Sequence, residues 1–191
     1  MSTVYTVNNK VLKNAANDKW LTKKETPPVP QDEVTIGTQT WKNVNLAVDD
    51  GGTGITHRDN VTANGINFGT VYYYTWDAAN RIANSISGWH LPSMEEFQTL
   101  VNYVGTNSGL KLSSTFGWDD GNNGTNDYGF NLLPLNSYDG SNPAGNRGML
   151  LASNKDGNNI SRLRRLASSN NAEVQGYYND SMYPVRLIKD T

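Results

Sequence analysis

The high content of asparagine and glycine limits how much regular helix this chain can form. The 191 residues include 26 asparagines and 18 glycines, while only 18% of the residues are charged. Both residue types tolerate left-handed backbone and favour turns over helix interiors. Five tryptophans and ten tyrosines are far more than a disordered chain carries. The composition therefore predicts a loop-rich domain with an aromatic core, and such loops often carry recognition surfaces.

The charge balance and the rare residue types exclude several classes of function. The net charge is −2 and the pI is about 5.6, so the chain carries no electrostatic footprint for nucleic acid or for an anionic membrane. It has no cysteine and two histidines, which excludes disulfides, zinc fingers, iron–sulfur clusters and three-histidine metal sites. No apolar run approaches the roughly 20 residues of a spanning helix, and no signal peptide is recognised at the start of the sequence.

Residues 1–33 differ from the rest and are predicted to form an N-terminal arm with a Pro-rich linker. Residues 4–13 have the pattern of two short strands joined by an Asn-Asn turn. Three prolines between residues 27 and 30 favour extended polyproline geometry. The arm is too short to bury its own apolar groups, so it is either a frayed terminus or an arm that docks on a partner. The predicted docking residues are Val4, Val7, Val11, Leu12, Trp20 and Leu21.

Residues 34–191 are predicted to form one α+β domain. Thr75 is positioned to cap a first helix, and the capping box Ser93-Met94-Glu95-Glu96 starts a second helix that ends at Gly105. After Lys111 the helical signals stop, and the rest is expected to be loops and short strands, with paired chain ends. The predicted core residues are Trp41, Trp76, Trp89, Phe97, Leu100, Val101, Phe130, Leu132 and Val185.

Strand signals are spread along the same domain. Residues 34–41 predict a hairpin, and the β-branched and aromatic residues of 68–74 predict a strand. Between them, residues 43–67 have the composition of a Gly/Asn-rich loop. Further on, residues 149–152 predict a buried strand and residues 168–183 predict a recognition loop.

Short motif blocks follow one another in order along residues 34–190. The blocks are Ile36–Trp41 with Asn45-Leu46, Tyr74–Trp76 with Ala78-Ala79, Gly88–Ser93 with Glu95–Phe97, Gly117-Trp118, Gly124–Phe130 with Leu133-Pro134, and Val185–Asp190. Together they resemble the Fibrobacter succinogenes major paralogous domain. The resemblance implies a C-type lectin-like fold, with two helices against a small antiparallel sheet and long loops in the second half.

The chain departs from the resembled family at its cysteines. Family members often carry one cysteine just before the Gly-Trp-His motif and another in the last strand, where this chain has Ile86-Ser87 and Leu187. Their absence suits a chain that never enters an oxidising compartment. Combined with the missing export signal, it predicts a protein made in the host cytoplasm and attached to a virion. The arm also resembles attachment segments of small phage structural proteins.

The sequence offers no arrangement for catalysis, and we expect that the protein is not an enzyme. His90 lies just before a helix and is interpreted as a structural imidazole, while His57 lies in a polar loop. Neither histidine has a nucleophile motif around it. Glu95 and Glu96 are explained by helix capping and the helix dipole rather than by acid–base work.

One acidic stretch leaves two interpretations open, an Asn/Gly turn or a calcium site. Its side chains supply the hard oxygens that calcium prefers. The EF-hand pattern and the lectin-type calcium–sugar motifs are nevertheless absent, so no metal or other cofactor is assigned. The calcium candidates are Asp119, Asp120, Asn122 and Asp127.

Residues 136–147 and 168–183 are the predicted binding segments. They mix tyrosine rings with side-chain amides, as many recognition loops do, and sugars are bound by the same two groups through stacking and amide hydrogen bonds. The predicted ligand-binding residues are Tyr138, Asn142, Arg147, Asn170, Asn171, Tyr177, Tyr178, Asn179 and Asp180. Arg162, Arg164 and Arg165 form either a basic patch or three solvated charges.

Two functions follow as hypotheses. In the first, the protein is a virion fibre or decoration protein whose lectin-like domain binds a host-surface glycan or another surface ligand, without contacting nucleic acid or inserting in a membrane. In the second, it is a structural adaptor or oligomerisation module of a virion or cell envelope, without a ligand. The arm is expected to dock on another virion protein or on the arms of sister subunits, and the second case predicts a homo-oligomer.

Overall fold

The chain divides into two units, Met1–Gln31 and Asp32–Thr191. The computed structural model describes the backbone of residues 5–7, 10–12, 32–138, 144–179 and 181–191, and the side chains of residues 32–138, 144–176 and 181–191. In the first unit, β1 (Tyr5–Val7) and β2 (Lys10–Leu12) form an antiparallel hairpin, which confirms the predicted pair of strands. The docking candidates Val4, Trp20 and Leu21 lie outside the described residues, and only the backbone of Val7, Val11 and Leu12 is described.

The second unit combines helices with antiparallel sheets, which confirms the α+β prediction. Its strands are β3 (Glu33–Ile36), β4 (Gln39–Lys42), β5 (Ile55–Arg58), β6 (Thr62–Ala63), β7 (Ile66–Asn67), β8 (Val71–Tyr74), β9 (Trp89–His90), β10 (Arg147–Asp156), β11 (Asn159–Leu166), β12 (Ala172–Asn179) and β13 (Ile188–Lys189). Its helices are α1 (Trp76–Ser85), α2 (Met94–Val104), α3 (Ser108–Leu112) and a 3-10 turn at Asp119–Gly121.

A four-stranded sheet brings the two ends of the domain together. The strand order is β3-β4-β13-β9. The β3–β4 hairpin confirms the hairpin predicted over residues 34–41, and its last pair is Ile36 with Gln39. Ile188 of β13 pairs with Trp41 on one side and with His90 on the other, which confirms the expected pairing of the chain ends.

The second half of the domain contains longer strands than the sequence predicted. Strand β10 has 10 residues, and β11 and β12 have 8 each, in the order β10-β11-β12. All of β12 falls inside the predicted loop 168–183, so that prediction was wrong. Its pairing explains the error: Leu163 of β11 lies opposite Val174 of β12, and such cross-strand contacts stabilise a strand that local composition disfavours.

The two predicted helices begin at their predicted caps. Thr75 Oγ1 accepts a hydrogen bond from the Ala78 amide at 3.3 Å. Ser93 Oγ accepts from the Glu96 amide at 3.2 Å, and Glu96 Oε2 accepts from the Ser93 amide at 2.7 Å, which completes the capping box. Helix α2 then ends at Gly105. No helix among the described residues combines the length and the apolar character needed to span a membrane.

Helix α3, strand β5 and the hairpin β6–β7 were missed by the sequence analysis. Helix α3 has five residues, too few to show a helical period. Residues 43–67, predicted as a loop, contain β5, which pairs with β8, and the hairpin β6–β7. That hairpin turns at Asn64-Gly65 with φ values of +49° and +76°, which is the Asn-Gly turn favoured between two short strands.

Three hydrophobic clusters fill the domain, and the largest is centred on Trp41. Its ring stacks on Phe97 at 5.4 Å and meets Phe130 edge-on at 5.5 Å. Leu100, Leu132 and Val185 are buried as predicted, whereas Trp76, Trp89 and Val101 are only half-buried. Lysine ammonium groups cover both half-buried tryptophan rings, Lys155 over Trp76 and Lys42 over Trp89. The buried rings that the core prediction missed are Trp118, Tyr73, Tyr74 and Tyr183.

Candidate functional site

A fully buried arginine joins three separate sequence blocks. Nη2 and Nε of Arg186 donate to Asn45 Oδ1 at 2.7 and 3.2 Å. Its guanidinium also donates to the carbonyl oxygens of Phe130, Lys42 and Asn131. Burial lowers the pKa of Arg186 to about 9, so the group is still charged at neutral pH. Because three blocks meet at this cation, their motifs build the scaffold rather than a ligand surface.

His90 is a second junction between the blocks. Nε2 lies 2.8 Å from Glu96 Oε1 and Nδ1 lies 2.7 Å from Asp190 Oδ1. Desolvation lowers the pKa of His90, but the hydrogen bonds with Asp190 and Glu96 outweigh it and raise the pKa above the usual 6.5. Glu96 also closes the capping box of α2. Both ring nitrogens are therefore held by structural carboxylates.

The other histidine lies on a strand and not in the predicted loop. His57 belongs to β5, pairs with Tyr72 of β8 and packs its ring 5.5 Å from the Tyr72 ring. Its side chain is exposed. The regular pairing of β5 with β8 explains why a polar stretch is extended here.

The three arginines of β11 form neither a patch nor solvated charges. Arg165 is buried, lies 4.0 Å over the Trp118 ring and donates to Asn122 O at 2.7 Å. Arg162 is also buried and donates to Tyr183 Oη at 2.7 Å. Arg164 is half-buried and pairs with a glutamate of β12.

The structure separates the predicted ligand-binding residues into distinct places. Arg147 starts β10, and Asn170 and Asn171 precede β12, so these three lie at one end of the three-stranded sheet. Tyr177, Tyr178 and Asn179 end β12 at the opposite end, beside the β11 residues Asn159 and Ile160. Seven steps of strand separate Ala172 from Asn179, which is about 23 Å. One small ligand therefore does not contact both groups.

Three predicted ligand-binding residues remain, and the structure describes one of them, Tyr138. Tyr138 is exposed, packs 5.4 Å from the Tyr73 ring and lies under the guanidinium of Arg58 at 4.4 Å. Asn142 and Asp180 lie outside the described residues.

An open groove of about 570 Å³ includes one predicted residue, Asn171. Asn171 Oδ1 accepts from the Asn107 amide at 2.9 Å, which holds the turn before α3 against the start of β12. The groove is lined by Val101, Asn102, Gly105, Thr106, Ser108, Asn171 and Ala172. It carries amides and hydroxyls but no aromatic ring on which a sugar could stack.

A second cleft, which we call the Phe116 cleft, was not predicted. Its volume is about 250 Å³, and it lies between the β6–β7 hairpin and residues 115–123. It is lined by Asn64, Ile66, Thr115, Phe116, Gly117, Trp118, Gly121 and Asn123. The sequence contained one signal of it, since Phe116 and Trp118 are the two apolar residues of the polar segment 113–126.

Two of the four calcium candidates, Asp119 and Asn122, are engaged in hydrogen bonds within the protein. Asp119 Oδ1 accepts from Asn64 Nδ2 at 2.9 Å, and Asn122 Nδ2 donates to Asp119 O at 3.3 Å. Asp120 sits in the 3-10 turn with φ of +56°, and Asp127 is exposed after that turn. Within the described ranges, no three Asp, Glu, His or Cys side chains form a group that could hold a metal ion.

The two positions at which the resembled family carries cysteines share an apolar environment. Ile86 and Leu187 both line a cleft of about 260 Å³ and both pack in the cluster around α1. Apolar packing therefore occupies these positions in this chain.

A family model described as the Fibrobacter succinogenes major domain matches residues 34–189. No curated protein matches the chain significantly. No solved structure matches it significantly either. The matched range contains β3 to β13 except for the first residue of β3, so it covers the scaffold, the groove at Asn171 and the Phe116 cleft.

Proposed function

The chain belongs to the Fibrobacter succinogenes major domain family, and from this premise we propose that it is a non-enzymatic binding module with a C-type lectin-like fold. Its ligand is a surface glycan of a host cell. The module is part of a virion fibre or decoration protein, and the N-terminal arm anchors it to the particle. A homo-oligomer formed through the arms belongs to the same proposal.

The observation that carries the proposal is that the motif blocks make internal contacts, whereas the segments between them expose aromatic and amide groups. Residues of the blocks bind one another inside the protein, at Arg186, at His90 and around the Trp41 ring. The segments between them carry exposed aromatic and amide groups, among them Phe116 and Tyr138. Rigid rings combined with adaptable amides are typical of recognition surfaces.

The contacts of His90 and Glu96 favour a structural role for both residues over a catalytic one. Both nitrogens of His90 are held by carboxylates, and Glu96 is used twice, by His90 and by the capping box. A general base must reach a substrate proton, and neither group is free to do so.

The virion context is supported by composition. The chain has no cysteine at all, although its family often uses a pair, and this suits a chain that folds in a reducing compartment. Apolar packing at Ile86 and Leu187 supplies contacts at these positions without oxidation.

A glycan array and a cell-binding assay test the proposal. The full chain, fluorescently labelled, is expected to bind a subset of glycans saturably and to bind cells that display them. The heat-unfolded chain is the control and should bind none. If the folded chain binds neither glycans nor cells, the glycan-binding function is wrong and the structural adaptor without a ligand is favoured.

A further inference from the structure

An aromatic ring that the fold holds in place lines the Phe116 cleft. Phe116 is 37% exposed, and its ring stacks on Phe68 with centroids 6.2 Å apart. Gly117 makes this stack feasible, because a Cβ there would lie 2.5 Å from Phe68 Cζ and its φ is +83°. A ring supported in this way offers contact area at little cost in conformational entropy.

Polar groups with fixed orientations stand beside that ring. Asn64 Nδ2 donates to Gly117 O at 3.1 Å and to Asp119 Oδ1 at 2.9 Å. Both partners are acceptors, so both hydrogens of the Asn64 side-chain amide are in use. The side-chain carbonyl oxygen of Asn64 is left as an acceptor for a ligand. Asn123 is held the opposite way: its Oδ1 accepts from the Trp118 amide at 3.1 Å, which leaves its NH₂ group as a donor.

The same bonds fix the shape of the cleft. Asn64 stands at the tip of the β6–β7 hairpin and ties this tip to residues 117–119, so the two walls of the cleft are joined. The buried Trp118 ring lies against Arg165, and its Nε1 donates to Ser114 Oγ at 3.1 Å. The exposed Thr115 adds a hydroxyl to the lining.

The lining also limits the class of ligand. None of its eight residues carries an ionisable side chain. The volume of about 250 Å³ is below the roughly 300–1,000 Å³ of clefts that take a drug-sized molecule. We infer that the Phe116 cleft binds one ring of a neutral sugar, with the apolar face of the sugar on Phe116 and vicinal hydroxyls on Asn64 and Asn123. This inference rests on the proposed glycan-binding function and assigns its site.

Titration of the full chain with simple glycosides tests the assignment. The probes are the methyl glycosides of glucose, galactose, mannose and N-acetylglucosamine, with the charged methyl glycoside of sialic acid for comparison. The variants are Phe116→Ala and Phe116→Leu, and Leu keeps apolar volume without an aromatic face. Tyr103→Ala is the matched control, because Tyr103 is an exposed ring on α2 and outside the cleft. Affinity is measured by saturation-transfer NMR, and folding by near-UV circular dichroism.

We expect at least one neutral glycoside to bind, a loss of about tenfold or more in both Phe116 variants, and no loss in Tyr103→Ala. Phe116→Tyr should stay within about threefold of the parent chain. If Phe116→Ala fails to fold, Phe116→Leu alone decides.

Three results would overturn the assignment. Neutral glycosides that bind Phe116→Leu as well as the parent chain would leave the function standing and reject this cleft. Loss of binding in Tyr177→Ala with normal binding in Phe116→Leu would move the site to the end of β12. If no neutral sugar binds, on the array or in solution, the assignment of the Phe116 cleft is rejected. If sialic acid alone binds, the glycan-binding function stands and only the assignment of this cleft is wrong.

Discussion

Arg186 is the residue at which the first, middle and last parts of the domain are joined. Its guanidinium donates to Asn45 Oδ1 and to backbone carbonyl oxygens, and no carboxylate is among its partners in the described residues. Arginine suits this position because its planar fork presents five donors in fixed directions. Replacement leaves several buried acceptors without a donor, and each costs about 1–3 kcal/mol when unsatisfied.

We therefore predict that Arg186→Met lowers the free energy of unfolding by about 3–5 kcal/mol, because several buried acceptors lose their donor at once. Arg186→Lys should recover only part of this loss, since an ammonium group cannot reach the same set of acceptors. The matched control is Arg164→Met, because Arg164 is half-buried and makes one ion pair. Its loss should stay at about 1 kcal/mol or less. Urea unfolding measures all three, and equal losses at both positions would contradict the prediction.

His90 makes the stability of the domain depend on pH. Its folded-state pKa is raised above 6.5 because Asp190 and Glu96 favour the imidazolium. The folded state thus holds the proton more tightly than the unfolded state. The stabilisation is fully present below the unfolded pKa of about 6.5 and is lost as the pH rises through the higher folded pKa.

We predict that the urea midpoint of the parent chain falls as the pH is raised from 6 to 8.5, at about constant ionic strength. His90→Gln should flatten this fall, because the titrating group is gone. His57→Gln leaves the contacts of His90 intact and should follow the parent chain. A parent midpoint that rises over this range, or a His90→Gln midpoint that falls as steeply, would show that the imidazolium is not stabilising.

At the scale of elements, short-range signals were sufficient where a cap or a turn specifies the structure. Helices α1 and α2 begin at Thr75 and Ser93 because local hydrogen bonds define these starts. Strands β11 and β12 depend on each other across the sheet, and no local pattern carries that information. Local patterns also could not predict which arginines are buried, because Arg165 and Arg186 are held by groups far away in sequence.

The candidate site was predictable in its chemistry but not in its place. Aromatic rings beside amides were expected, and the Phe116 cleft has that composition. Its walls come from residues 64–66 and 115–123, and only the folded chain brings these together. The predicted residues Arg147 and Asn179 do not lie near each other, because antiparallel pairing puts them at opposite ends of one sheet.

At the scale of the whole molecule, we expect folding and attachment to depend on different parts of the chain. Among the residues whose side chains the structure describes, the three hydrophobic clusters consist of residues from Val34 onward. The sheet formed by β3, β4, β13 and β9 lies within the second unit. The family match spans 34–189, which lies within the same unit. The first unit has a two-stranded hairpin, and an isolated two-stranded hairpin is marginally stable at best in water.

We predict that a protein truncated to residues 32–191 folds, with a melting temperature within about 4 °C of the full chain, a change that corresponds to about 1 kcal/mol or less at this size. Limited proteolysis of the full chain should release a resistant fragment that begins near Asp32, because the prolines at 27–30 mark a linker. Under the proposed attachment role, the truncated protein keeps its glycan binding but no longer joins particles or forms the oligomer. A truncated protein that unfolds would show that the arm is part of the domain. One that still assembles normally would show that attachment resides in residues 32–191 and that Val4, Val7, Val11, Leu12, Trp20 and Leu21 do not dock.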